Sequence, residues 1–220
     1  MDIISELQKY LKENPNLLND EEKTTLKQEL VRFVQNPKGP VEDVFVQFLE
    51  YIGLIPSDEN EFIEYLMKNY SKNKFPRVLE VASGRTCSLA QKLRQKGYAV
   101  TAMDPDKRIK PTDERVKGIK MLKRKFTPDF AVSQYDIIVG YNACPVAGTL
   151  LSIKSKPTIF TICDAPETDG KLDIGVDISS KEEFIQELIK RNGNIMSIGN
   201  LTIIDNSRIL ESNKKFNYER

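Results

Sequence analysis

Apolar residues recur at helical spacing through the first third of the chain. Ile3, Ile4, Leu7 and Leu11 share one stripe, which Asn14 and Pro15 close. A second stripe, Leu26, Leu30, Phe33 and Val34, follows the capping residues Asn19 and Asp20 and ends near Pro37 and Gly39. The third, Val41, Val44, Phe45, Phe48, Leu49 and Ile52, begins after Pro40, at the first turn where a helix tolerates proline. A fourth runs Phe62, Ile63, Leu66, Met67 and Tyr70, with Ser57 before it. Each stripe is explained by core burial, and no internal repeat links them. Residues 1–75 therefore read as a helical N-terminal extension.

After Pro76 the period shortens. Val78–Val81 is a brief apolar run, followed by Gly84 and a helical pattern of Leu89, Ala90 and Leu93 that stops at Gly97. Tyr98–Met103 and Ile119–Leu122 read as strands, with a loop or short helix between them. Ile137–Val139 and Thr158–Ile162 are continuous apolar runs, as expected of strands covered on both faces. Phe184, Ile185, Leu188 and Ile189 form another amphipathic helix. Strands alternating with helices predict a mostly parallel sheet. Ile195–Ile198, Gly199-Asn200 and Leu201–Ile204 have the spacing of a tight hairpin, so an antiparallel pair should finish one edge. The expected fold is α/β: a Rossmann-like domain over 76–220 with a C-terminal antiparallel hairpin, preceded by the all-helical extension.

Composition narrows the chemistry. The chain has 220 residues, 40% hydrophobic and 30% charged, which excludes disordered and disulfide-scaffold classes. No apolar run approaches the roughly 18 residues of a bilayer span, and MDIISELQKY has no signal-peptide pattern, so a cytoplasmic location is expected. Histidine is absent, which removes Ser-His-Asp and Cys-His systems, histidine bases and histidine-ligated metals. Cys87, Cys144 and Cys163 are an odd number with no C-x-x-C, so reduced, buried thiols are expected and no metal site. On the strand order 3-2-1-4-5, all three would end neighbouring strands and could converge. Net charge is +1, but residues 1–75 sum to −5 and residues 76–220 to +6.

Ligands of a doubly wound sheet bind beyond the carboxyl ends of its strands, where strand order reverses. The first strand and turn read Arg77-Val78-Leu79-Glu80-Val81-Ala82-Ser83-Gly84-Arg85-Thr86-Cys87, and the second ends Ala102-Met103-Asp104. A strand, a glycine turn, a helix and an acid about twenty residues later describe a nucleoside-cofactor site. Gly84 would admit the ligand to the backbone, and Asp104 would accept hydrogen bonds from two ribose hydroxyls. There is no G-x-G-x-x-G, and Glu80 suits a cationic ligand better than a pyrophosphate. VLEVASG resembles the first motif of the class I S-adenosylmethionine-dependent methyltransferases, with Ala82 in place of the first glycine. Glu80-Val81-Ala82-Ser83-Gly84-Arg85 and Tyr141-Asn142-Ala143-Cys144-Pro145 resemble more closely a short prokaryotic, mainly archaeal, Rossmann group with an E-V-G-x-G-R turn. The resemblance implies S-adenosylmethionine as cofactor, held by Glu80, Ala82, Gly84 and Asp104, and methyl transfer to a small-molecule or nucleic-acid acceptor. The Tyr141–Pro145 loop resembles the Asn/Asp-Pro-Pro-aromatic loop of amine methyltransferases, which implies that Asn142 orients the acceptor.

One charge feature stands apart. Residues 107–125 hold nine Lys and Arg against Asp113 and Glu114, a net +7 that would suit a phosphate-bearing or acidic partner. Two other functions stay open: a noncatalytic Rossmann-like binding or regulatory module without turnover, and a nicotinamide oxidoreductase in which Arg108 pairs a ribose phosphate.

Overall fold

The computed structural model describes residues 58–84, 87–105, 111–112, 116–162, 173, 175, 178, 180–191, 194–198 and 201–207. Of the N-terminal part it describes 8, 9, 12, 23, 24, 26–28, 30 and 31. The chain divides into two compact units, Met1–Ser57 and Asp58–Arg220. In the first, every described residue is helical, and Leu26 and Leu30 of the second predicted stripe are buried. The third predicted stripe lies outside the described residues.

The second unit opens with helix α1 (Asp58–Asn69), whose first turn carries Asp58, Glu59 and Glu61, the sign that suits a helix N-terminus. There follow β1 (Arg77–Val81), α2 (Ser88–Gln95), β2 (Ala99–Met103), β3 (Lys120–Leu122) and β4 (Ile137–Gly140). A 3₁₀ turn (Cys144–Val146) then leads into α3 (Ala147–Ser152), β5 (Thr158–Ile162), α4 (Lys181–Lys190), β6 (Ile195–Ile198) and β7 (Leu201–Asp205). The seven strands form one sheet in the order β3-β2-β1-β4-β5-β7-β6. The first five are parallel, while β7 runs antiparallel to β5 and to β6. This is the Rossmann-like sheet and edge hairpin that the patterning predicts. Strand order reverses between β1 and β4, so their carboxyl ends flank the crevice of a doubly wound fold.

Strand alternation divides the core into two layers. Val78, Val100, Ala102, Ile137, Val139 and Ile159 face α1 and α2, meeting Phe62, Ile63, Leu66, Leu89 and Leu93. Leu79, Val81, Met103, Ile138, Phe160 and Ile162 face α3 and α4, meeting Leu150, Leu151, Phe184 and Leu188. Both faces are covered, which is why β4 and β5 read as unbroken apolar runs. The fourth predicted stripe, assigned from sequence to the extension, is α1. It packs on the sheet because Phe62, Ile63 and Leu66 need an apolar surface that the α1 side of the strands provides.

Polar clamps fix the amino edge. Arg77 grips Asp136 through Nε (3.0 Å) and Nη2 (2.6 Å), while Asp136 accepts from the Arg77 backbone N–H at 2.9 Å. That fork pins the start of β1 to β4. The buried Asp205 carboxylate accepts from the hydroxyls of Tyr65 and Tyr70, each at 2.6 Å, and from the Ser207 hydroxyl at 2.6 Å, tying α1 to the end of β7.

Candidate functional site

The site grows from the turn after β1. Ala82 leaves the strand with φ of 52°, the left-handed conformation that glycine adopts without strain and alanine only at a cost. Ser83 N–H then donates to the Met103 carbonyl at 3.2 Å, extending the β1–β2 ladder past the strands. Gly84, at φ 65°, donates its N–H to Asp104 Oδ2 at 3.0 Å. The glycine turn and the acid at the end of β2 are therefore in direct contact. A Cβ built on Gly84 meets nothing within 4 Å, so the turn faces open space on that side. Cys87, φ 57°, turns the chain into α2.

The strand register aligns the carboxylates. Glu80 pairs with Ala102, so Asp104, two residues on, belongs to the same face of the sheet, the one α1 and α2 cover. Glu80 is buried, at 1% exposure, beside the reversal point. A third carboxylate comes from α1. Buried Glu59 accepts from the Ser88 hydroxyl at 2.8 Å and pairs with Lys92, one helical turn along α2. It brings a carboxylate to the first turn of α2, where dinucleotide-binding sheets receive pyrophosphate, with its charge balanced by Lys92. The buried Glu80 beside the turn disfavours a phosphate and suits a cation.

Across the crevice, Gly140 ends β4 against the turn. A Cβ at Gly140 would stand 2.7 Å from that of Ala143 and 3.1 Å from the Val81 carbonyl, so no larger residue lets the two strand ends close up. Asn142 follows in the left-handed conformation, φ 52°, and is exposed. Its N–H donates to Thr161 Oγ1 at 2.8 Å, and that hydroxyl reaches Asn142 Oδ1 at a long 3.4 Å. Ala143 N–H donates to the Thr161 carbonyl at 3.0 Å. Buried Thr161 on β5 thus holds the loop, drawing the Asn142 side-chain carbonyl inward. On the far side, Asp173 closes the start of α3, accepting from Gly148 N–H (2.7 Å) and Thr149 N–H (2.6 Å).

Among the described residues, the three non-glycine positions with positive φ, Ala82, Cys87 and Asn142, all lie in the segments that leave the carboxyl ends of β1 and β4. Strained backbone of that kind, at about 1–3 kcal/mol each, persists where surrounding structure imposes it and gathers at ligand sites. Glu80, Ala82, Gly84 and Asp104 are brought together on one side and Asn142 stands on the other. The two described cysteines do not converge: Cys87, before α2, packs in the α1–α2 layer and Cys144, in the 3₁₀ turn that leads into α3, packs in the α3–α4 layer, because the helices they introduce cover opposite faces of the sheet. Cys163 lies outside the described residues, as do Arg85, Thr86 and Arg108. Among the described residues no group of three metal-ligating side chains occurs. Patterning missed Glu59, Thr161 and Asp173. Thr161 had a signal, a hydroxyl inside a strand that must be dry on both faces; Glu59 and Asp173 had none, being carboxylates on segments that read as solvated.

No protein-family model and no curated protein matches the chain. Among solved structures, a ribosomal protein L11 methylase from Lactobacillus delbrueckii subsp. bulgaricus is 16% identical, covering 69% of this chain and 79% of its own, with a TM-score of 0.44. Magnesium protoporphyrin IX methyltransferase from Synechocystis PCC 6803, with bound SAM, is 11% identical over 86% of this chain and 97% of its own, TM-score 0.49. An O-methyltransferase family protein from Burkholderia thailandensis is 12% identical over 79% and 60%, TM-score 0.45.

Proposed function

We propose that the crevice between β1 and β4 binds S-adenosylmethionine and that the protein is a methyltransferase. The observation that carries this reading is the contact of Gly84 N–H with Asp104 beside open space at the glycine. The residues fit the group. Asp104 would take the ribose diol, the turn from Ala82 to Gly84 would line the ligand without side-chain bulk, and Glu80 would face its positive charge. The buried Glu80 carboxylate beside the turn disfavours a pyrophosphate there, which counts against the nicotinamide alternative.

When bound, the cofactor supplies a methyl group on a sulfonium with a good leaving group, so alignment of the acceptor is most of what the protein must add. The absence of histidine is compatible with that demand. Asn142, held by Thr161, presents an amide N–H donor at the crevice mouth, suited to a carbonyl, hydroxyl or anionic oxygen on the acceptor.

Isothermal calorimetry with S-adenosylmethionine and S-adenosylhomocysteine tests the reading. Both should bind, and Asp104→Ala should weaken them by roughly 30- to 100-fold, the loss of hydrogen bonds to a charged group. Asp104→Asn, which keeps an acceptor for Gly84 N–H, separates ligand contact from turn integrity and should also bind weakly. No heat from a folded wild-type protein at millimolar ligand would sink the proposal. The inward-turned Asn142 carbonyl favours a second reading, a binding module without turnover. Binding with no conversion of S-adenosylmethionine to S-adenosylhomocysteine, over a range of acceptors, is what that reading expects.

A further inference from the structure

The basic run singled out in the sequence has a definite position in the fold. Its longest basic stretch among the described residues, 117–125, reads KGIKMLKRK, five cations with no acid among them. Lys117, Lys120, Lys123, Arg124 and Lys125 are all exposed. Lys120 opens β3, the edge strand of the sheet, and the other three of the last four leave its carboxyl end. Met103 pairs with Leu122, and Asp104 N–H donates to the Leu122 carbonyl at 3.1 Å. Lys123 therefore emerges one strand spacing, about 4.8 Å, from the chain that carries Asp104. The run follows the sheet edge and ends beside the crevice.

Its chemistry selects a partner. Among the described residues, Lys120, Lys123 and Lys125 make no ion pair. The Arg124 guanidinium lies over the Phe130 ring, 5.3 Å from its centroid, a cation–π contact that leaves its N–H donors in plane for an oxyanion. A single edge lysine is enough to prevent strand-to-strand association, so four cations in six residues exceed that need. A protein interface is anchored on apolar and aromatic side chains with lysine depleted. Within the same compact unit the exposed large hydrophobics among the described residues, Met67 and Ile189, lie on α1 and α4. A line of cations without apolar anchors suits the phosphate backbone of a nucleic acid, which is bound by neutralisation and counterion release.

We infer that residues 117–125 are a docking track for the phosphate backbone of a polynucleotide. Binding there stands on the charge and the geometry alone. It rests on the cofactor reading only for the role of the bound polynucleotide as methyl acceptor.

The test needs no cofactor. Fluorescence anisotropy of the full chain with a labelled 20-nucleotide single-stranded RNA, and with DNA of the same sequence, measures affinity at 50 and 200 mM salt. Four phosphates neutralised on a single strand give a roughly 50-fold loss of affinity across that range. The variant K120E/K123E/R124E/K125E should lose at least ~100-fold at 50 mM salt, the effect of reversing charges that each neutralise one phosphate. If its circular dichroism shows misfolding, K120Q/K123Q/K125Q replaces it, with an expected loss of ~10-fold or more. Binding of RNA alone or of both strands supports the track and distinguishes a 2′-hydroxyl preference from backbone contact only. Absence of binding at 50 mM salt, equal binding by the folded variant, or polyglutamate bound as tightly as RNA overturns it. The last outcome assigns the surface to an acidic protein. Failure of S-adenosylmethionine to bind in calorimetry leaves all of these readings unchanged.

Discussion

Ala82 shows how one residue is held against its preference. It stands where the turn needs a left-handed residue, at φ 52°, and its methyl packs against the α3–α4 layer. The contacts of Ser83 and Gly84 with β2 impose the conformation. Ala82→Gly should therefore raise stability by up to ~1 kcal/mol, the relief of strain less the extra freedom of glycine in the unfolded chain. Ala82→Val should cost about 1–3 kcal/mol, since a branched side chain is worse there. Thermal unfolding of the two variants checks both signs, and a stabilising valine would contradict the turn geometry. Tyr70 is a second case. Burial first, then its bond to Asp205, pushes its phenol far above the ordinary range. A raised folded value means that this contribution is intact below about pH 10, the unfolded tyrosine value, and is lost as pH climbs beyond it. Ultraviolet titration should show the Tyr70 phenolate appearing only as the protein unfolds in alkali.

Among elements, α1 and the β1–β4 pair depend on identifiable polar contacts. Tyr70→Phe should cost about 1–3 kcal/mol, because it removes a donor to a buried carboxylate that keeps its others. Asp205→Ala should cost more, because it removes the acceptor shared by the Tyr65, Tyr70 and Ser207 hydroxyls, three bonds against the one that Tyr70→Phe takes from the carboxylate. Urea unfolding measures both, and an Asp205→Ala cost below that of Tyr70→Phe would contradict the cluster. The Arg77–Asp136 fork is different in kind. Hydrogen bonding to Arg77 holds the Asp136 carboxyl below its ordinary value. A depressed folded value means that the contribution is complete above about pH 4 and is lost as pH falls through the folded value. Arg77 is 55% exposed on its side chain, so solvent screens the pair and its stabilisation is small. Asp136→Asn should lower stability by a small amount above about pH 4 and hardly at all at lower pH, making the acid limb shallower by that same amount; an unchanged acid limb would show that the fork carries no pH dependence.

At the scale of the whole molecule, the compact unit that holds the sheet begins at Asp58. Phe62, Ile63, Leu66 and Tyr70 are all buried. At about 1.5–3 kcal/mol for each such side chain, removing α1 would forfeit roughly 6–12 kcal/mol. That is comparable to the whole stability of a domain, about 5–15 kcal/mol. A chain beginning at Asp58 should unfold cooperatively, whereas one beginning at Pro76 should aggregate or lack a transition. Calorimetric scans of the two settle the matter, and a cooperative transition in the shorter chain would show that α1 is dispensable.

The strand periods, the glycine turn and the hairpin were legible because each is a local pattern: alternation and run length report burial, and Gly84 and the acid twenty residues on report a turn and a strand end. The places of Glu80, Ala82, Gly84, Asp104 and Asn142 at or just beyond strand ends were legible in the same way, while the roles proposed for them came from a resemblance. Distance between residues remote in the chain was not legible. Nothing near Glu59 reveals that it meets Ser88 and Lys92, nor do Cys87 and Cys144 announce that they enter opposite layers. The sequence by itself determined the elements and the class of sheet, because those follow from the polarity of neighbouring positions. Only the tertiary structure decided that α1 belongs to the sheet and that Asn142 is held by Thr161 and Glu59 by α2, because register and packing are set by partners far along the chain.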